Sequence, residues 1–139
     1  MNTISSLTFA FALAVAPALA VAQGQSTEPA KVVALAWLQK LDSADYAATW
    51  HSAASMFKGA VTMQSWQQSA QAARAPFGAM RSRVERSATF TRSLPGAPEG
   101  QYVVLQFLTA YEHKQQAAET ITAAQEPDGT WKVAGYFIK

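Results

Sequence analysis

Cysteine is absent from this chain of 139 residues, which removes disulfides, thiol nucleophiles, thiolate metal sites and lipid attachment of the bacterial lipoprotein kind. Charge is sparse: 14% of the residues are Asp, Glu, Lys or Arg, and none precedes Glu28. Histidine occurs only at His51 and His113, too far apart in sequence to suggest a paired imidazole site. Both read as surface or capping residues. Also missing are a GxSxG nucleophile elbow, an HExxH helix and a Gly-rich phosphate loop. The common hydrolase, metalloprotease and nucleotide-binding readings go with them, and no cofactor, metal or catalytic residue is expected.

The uncharged opening, MNTISSLTFAFALAVAPALAVAQGQ, contains an apolar run from Leu7 to Leu19 and then Ala20-Val21-Ala22, small residues at the spacing a signal peptidase reads. It reads as a signal peptide over residues 1–22. The run falls short of the roughly 20 residues that cross a bilayer, so no membrane anchor is expected after cleavage. The expected location is the periplasm or beyond. Residues 23–139 then have the length of one domain with one core, held without disulfides.

Charge is uneven along that length. Residues 74–92 carry Arg74, Arg81, Arg83, Arg86 and Arg92 against Glu85 alone, a local charge of +4, whereas the chain as a whole carries +2. Such a segment could meet nucleic acid or anionic lipid. On a strand, however, alternation divides the arginines between two faces, so a solvated or salt-bridged strand is the reading and no nucleic-acid partner is expected.

The first half reads as helical. Ser26-Thr27-Glu28-Pro29 supplies a start, and Ala34, Trp37 or Leu38, and Leu41 recur at helical spacing. Asp42-Ser43 is read as a break that caps a second helix, SADYAATW, presenting Tyr46 and Trp50 four apart. Thr62 caps a third helix with a stripe of Met63, Trp66, Ala70 and Ala73, ending near Ala75-Pro76 and Gly78. From Arg81 onward Val, Thr, Phe and Tyr dominate, and four strands are expected at about 82–92, 101–111, 117–126 and 130–138. SLPGAPEG, EHKQQ and PDG connect them, with Gly129 at the left-handed position of a hairpin that pairs Glu126 with Thr130. The fold class is therefore α+β, with N-terminal helices packed on a four-stranded antiparallel meander. Trp37, Trp50, Trp66 and Trp131 read as core rather than as a stacking platform.

The blocks WLQKLDSADYAATW, RAPFGAMRSR, SLPGAPEGQYVVLQF and ETITAAQEPDGTWKVAGYFIK resemble the bacterial family called domain of unknown function 4019, over nearly all of the chain after residue 22. The resemblance implies small exported proteins with the helix-on-curved-sheet cone of the nuclear transport factor 2-like, or cystatin-like, group. It implies no established activity and brings no catalytic residue.

One acid stands out. With Glu126 opposite Thr130, simple alternation sets Ala123 opposite Val133, Ile121 opposite Gly135 and Glu119 opposite Phe137, on the apolar face that carries Trp131. A Tyr111–Ala117 pairing places Phe107 opposite Ile121 and Thr109 opposite Glu119. Pairing Arg92 with Gln101 puts Val84, Arg86, Ala88 and Phe90 on the same face, so Arg86 and Thr109 are the expected partners of Glu119. A carboxylate in apolar surroundings demands such a partner or a raised pKa. Glu119 is then structural, or one wall of a small-molecule pocket with Arg86, Thr109, Tyr46 and Trp50, or the base of an isomerase- or hydratase-like enzyme. A non-catalytic binding or interaction module is the favoured function. The opposite face, with Tyr102, Val104, Leu108, Tyr136 and Ile138, is expected to support a homodimer.

Overall fold

In the computed structural model, residues 24–139 are described; the segment 1–22 read as a signal peptide, and Gln23, lie outside the described residues. Helix α1 spans Glu28–Asp42, with a proline in its first turn and an acid at its positive end. Its buried residues Ala30, Ala34, Trp37, Leu38 and Leu41 form the expected stripe, three and four apart. The chain then turns through Ala44, which takes a left-handed φ of 58°. Helix α2 (Tyr46–His51) is capped by Asp45, which accepts from the Ala48 amide, and not by Asp42-Ser43.

Helix α3 (Ser55–Ala60) has no counterpart in the sequence reading. It has no side-chain cap of its own at Ala54. Its start is held from afar: the Ser55 amide and hydroxyl donate to the Glu126 carboxylate at 2.7 and 3.1 Å, and the Ala54 amide donates to the Val133 carbonyl at 2.7 Å. Tertiary contact, invisible to local pattern, makes this helix. Helix α4 (Met63–Arg74) opens as expected, with Thr62 accepting from the Ser65 amide. Its buried stripe is Trp66, Ala70 and Arg74, while Ala73 is exposed.

Four strands follow, β1 (Met80–Thr91), β2 (Tyr102–Tyr111), β3 (Lys114–Gln125) and β4 (Trp131–Ile138), in one antiparallel sheet of order β1-β2-β3-β4. The helices pack on one face, giving the α+β arrangement read from sequence. EHKQQ is not a five-residue loop; Tyr111 pairs with Lys114 across Glu112 and His113. Gly129 takes a φ of 88° in the last hairpin, where the Glu126 amide donates to the Thr130 carbonyl at 2.7 Å.

Irregularities in the ladders decide which side chains face the helices. A bulge at Arg86 lets Ala88 and Phe90 stay on the core face but turns Val84 and Arg86 outward and Arg83 inward. A shift at Ala110 moves β3 against β2, so that Glu119 pairs with Phe107 and Ile121 with Leu105. Another, next to Ala134, sets Ile121 opposite Tyr136 and Glu119 opposite Ile138. Simple alternation holds at Ala123–Val133 and fails beyond it: Tyr136 and Ile138 point to the helix side, and Phe137 points out. Tyr102 keeps its outward place but is covered by its own loop, its hydroxyl donating to the Pro98 carbonyl.

The core gathers Trp37, Leu38, Leu41, Phe57 and Trp66 from the helices against Val103, Leu105, Phe107, Ile121, Trp131 and Val133 from the sheet. Buried indoles need acceptors. Thr49 supplies two: its carbonyl takes the Trp37 Nε1–H at 2.8 Å and its hydroxyl takes the Trp66 Nε1–H at 2.8 Å. Trp50 donates to the Val61 carbonyl at 2.9 Å. Because Thr49→Val preserves shape but strands the Trp66 N–H, urea melts should show a loss of about 1–3 kcal/mol. Thr49→Ser, which keeps the hydroxyl, should lose less.

Candidate functional site

Two helical stripes end in charge. Asp42 lies four residues after Leu38 on α1, and Arg74 four after Ala70 on α4, so each continues a buried face past its last apolar residue. The helix ends meet above the sheet, where the Arg74 Nη2–H donates to Asp42 Oδ1 at 2.7 Å. From below, Arg83 on β1 donates with both Nη atoms to the Asp42 carboxylate, at 2.8 and 2.9 Å, and with Nε to Glu119 Oε1 at 2.8 Å. One guanidinium thus ties α1 to the third strand.

Glu119 is 0% exposed. Its Oε1 also accepts from the Thr109 hydroxyl, and its Oε2 accepts from the Tyr136 hydroxyl. Burial pushes the Glu119 carboxyl up, but the bonds from Arg83, Thr109 and Tyr136 outweigh it and leave the group below its ordinary value. Asp42 behaves alike: burial raises it, Arg83 and Arg74 pull it down further, and the net shift is downward. Tyr136 is pushed up by burial and by the Glu119 charge, so it stays a neutral donor. Burial and Glu119 push Tyr111 to about 12. The Arg74 guanidinium stacks on the Tyr111 ring at 4.9 Å, and among the described residues its Nε and Nη1 atoms and the Tyr111 hydroxyl have no hydrogen-bond partner.

Of the residues singled out in the sequence, Glu119 and Thr109 are brought together as expected. Arg86 is not with them; it is exposed on the opposite face, because the bulge at its own position gives the inward place to Arg83. Tyr46 is half-buried against the core and lines a shallow hollow with Asp42, Ala44, Arg74 and Gly78. Trp50 packs elsewhere, beneath Lys58 and beside His51. Arg83, Asp42, Arg74 and Tyr136 escape the sequence reading. For Asp42 and Arg74 a signal exists, since both sit in register with a buried stripe; for Arg83 and Tyr136 there is none, since bulges set their direction.

The network also forms the floor of a groove. Lys31, Leu35, Gln39 and Asp42 of α1 face Met80, Arg83 and Glu85 of β1 and Phe107 of β2 around a volume of about 410 Å³. Lys31 crosses it to Glu85 at 3.1 Å and also meets Glu28 at 3.0 Å. Among the described residues no group of three His, Cys, Asp or Glu side chains is gathered to hold a metal, and no helix is long and apolar enough to cross a membrane.

A helix-covered antiparallel sheet with an internal salt-bridge cluster of Asp42, Arg74, Arg83 and Glu119 defines an α+β protein that encloses four of its charged side chains. The chain belongs to the family of proteins of unknown function DUF4019, which matches residues 33–136. No curated protein and no solved structure is detectably similar to it.

Removing Glu119 leaves Arg83 short of one buried partner, so Glu119→Ala should destabilise the fold by about 3–5 kcal/mol in a denaturant melt. Arg86→Ala should stay within about 0.5 kcal/mol of the parent, as an exposed residue outside the network does. Stability should also follow pH with a definite sign. The unfolded chain protonates Asp42 and Glu119 near their ordinary values of 3.8 and 4.5, while the folded carboxyls sit lower. The network's contribution is whole above the unfolded values and drains away as pH falls through the folded ones. Thermal midpoints should be flat from neutrality to about pH 5 and fall below about pH 4, with the fall reduced in Glu119→Gln.

Proposed function

We propose that the protein is an exported, non-catalytic module that binds a small molecule in the groove between α1 and the β1–β2 face. The observation that carries this reading is the condition of Glu119. An acid–base catalyst must reach a substrate proton and change its charge during turnover. Glu119 has no exposed surface, both oxygens are occupied, and its charge is held by Arg83. The isomerase- or hydratase-like alternative therefore loses its base.

The groove, by contrast, offers what recognition requires: an apolar wall of Leu35, Met80 and Phe107 beside the anchored charges of Asp42, Arg83 and Lys31. Those charges are fixed before any ligand arrives, which lowers the cost of ordering them on binding. A ligand of matching chemistry is a small molecule with an apolar body and polar groups of either sign at one end. The layout also supports assignment to the nuclear transport factor 2-like cone, through a four-stranded meander distorted by bulges and helices restricted to one face. Export rests on the reading of residues 1–22.

Native mass spectrometry of protein recovered from the periplasmic fraction tests both parts. A polypeptide beginning at Gln23 and carrying a co-purified small molecule is expected. Leu35→Trp, which fills the groove from the exposed side of α1, should release that molecule and melt at the midpoint of the ligand-free parent. Retention of the ligand by that variant, or recovery of only ligand-free protein, counts against the groove.

A further inference from the structure

The face of the sheet turned away from the helices carries an unusual combination. Val84 is 55% and Phe137 59% exposed there, with Val104 and Leu108 half-buried between them. The register places Val84 beside Leu108, Leu108 beside Ala118, and Thr120 beside Phe137, so these side chains form one continuous surface. Arg86, Gln106, Leu108, Thr120, Phe137 and Lys139 surround a hollow of about 250 Å³ on it. No acidic side chain occupies an outward position of the four strands: Glu85 faces α1 and Glu119 faces the core. The cations Arg86 and Lys139 consequently have no acidic side chain on their own face.

We infer that this face docks an acidic polypeptide surface, one that lays an apolar side chain beside Phe137 and sets carboxylates on Arg86 and Lys139. Charge decides among the occupants. A second copy in face-to-face contact would bring Arg86, Lys132 and Lys139 again and no acidic side chain from its strands, and like charges brought together at an interface are costly. A lipid surface fits poorly for a different reason. Ser87, Thr89, Gln106, Thr120 and Thr122 line the outward rows, and their hydroxyl and amide groups need hydrogen-bond partners that hydrocarbon does not provide. Membrane-surface binding also draws on clusters of about four to eight basic residues, more than this hollow holds. A polypeptide supplies carboxylates, backbone acceptors and apolar side chains together.

The site differs from the α1 groove, so its test is independent of the ligand-binding reading. The probe is a short synthetic peptide alternating glutamate and leucine, compared with its lysine–leucine counterpart, titrated into the purified ¹⁵N-labelled protein and followed by amide shifts. Saturable shifts centred on Leu108, Thr120 and Phe137 are expected with the glutamate peptide alone. Phe137→Ser and Arg86→Glu should each weaken it by about tenfold or more, with unchanged amide dispersion elsewhere. The inference is overturned if neither peptide shifts these residues, if both do so equally, or if Arg86→Glu binds the glutamate peptide as the parent does. It is overturned as well if the parent sediments as a dimer that Phe137→Ser dissolves, or if it binds phosphatidylglycerol vesicles while ignoring the peptide.

Discussion

A carboxylate without solvent must be charged and matched, or neutral. Glu119 takes the first course, and the placing of strands and helices around it supplies the match. Three donors converge on two oxygens, and they come from three different strands: Arg83 from β1, Thr109 from β2 and Tyr136 from β4. The strongest donor is itself shared, since Arg83 holds Asp42 at the end of α1 with its other edge. Buried ion pairs are weak evidence of net stability, because desolvation offsets most of their attraction. Their larger effect here is positional. The end of helix α1 is fixed on the sheet through Asp42, and α4 is fixed to α1 through Arg74 and the same Asp42.

That geometry also separates the two surfaces considered for binding. The α1 groove inherits anchored charges from the network, so its polar wall is rigid and electrically balanced. The bulges add Arg86, Val84 and Phe137 to the outer face, which lie there because Arg83 and Tyr136 lie inside. A single bulge in β1 therefore does two things. It builds the interior and furnishes the exterior.

Helices α1, α2 and α4 are legible in the sequence because their signals are local. Trp37 and Leu41, or Thr62 and Trp66, declare themselves by spacing and capping alone. Strand existence is legible for the same reason, and so is the enclosed acid, since an isolated Glu among Ala, Thr and Ile in a strand has few alternatives. Direction is not. A strand's alternation predicts facing only while the ladder is regular, and one extra residue inverts everything beyond it. Arg86 and Arg83 exchange roles by that mechanism, as do Phe137 and Tyr136. Helix α3 escapes for another reason: its first turn is held by Glu126, whose carboxylate is 71 residues away from Ser55 in the chain.

The order in which the network is assembled along the chain has a kinetic meaning. Its members are Asp42, Arg74, Arg83, Thr109, Glu119 and Tyr136, so the last contribution comes from the final strand. A polypeptide ending before β4 would already contain Glu119 and the arginines, yet Tyr136 would be missing and one side of the acid open. Compact intermediates without the C-terminal hairpin thus expose charge that the complete fold conceals, and they are disfavoured electrostatically as well as by unburied apolar surface. Such long-range closure slows folding relative to a helical bundle of the same size. A cooperative transition is the expected consequence, since the acid is enclosed only once the last strand is in place.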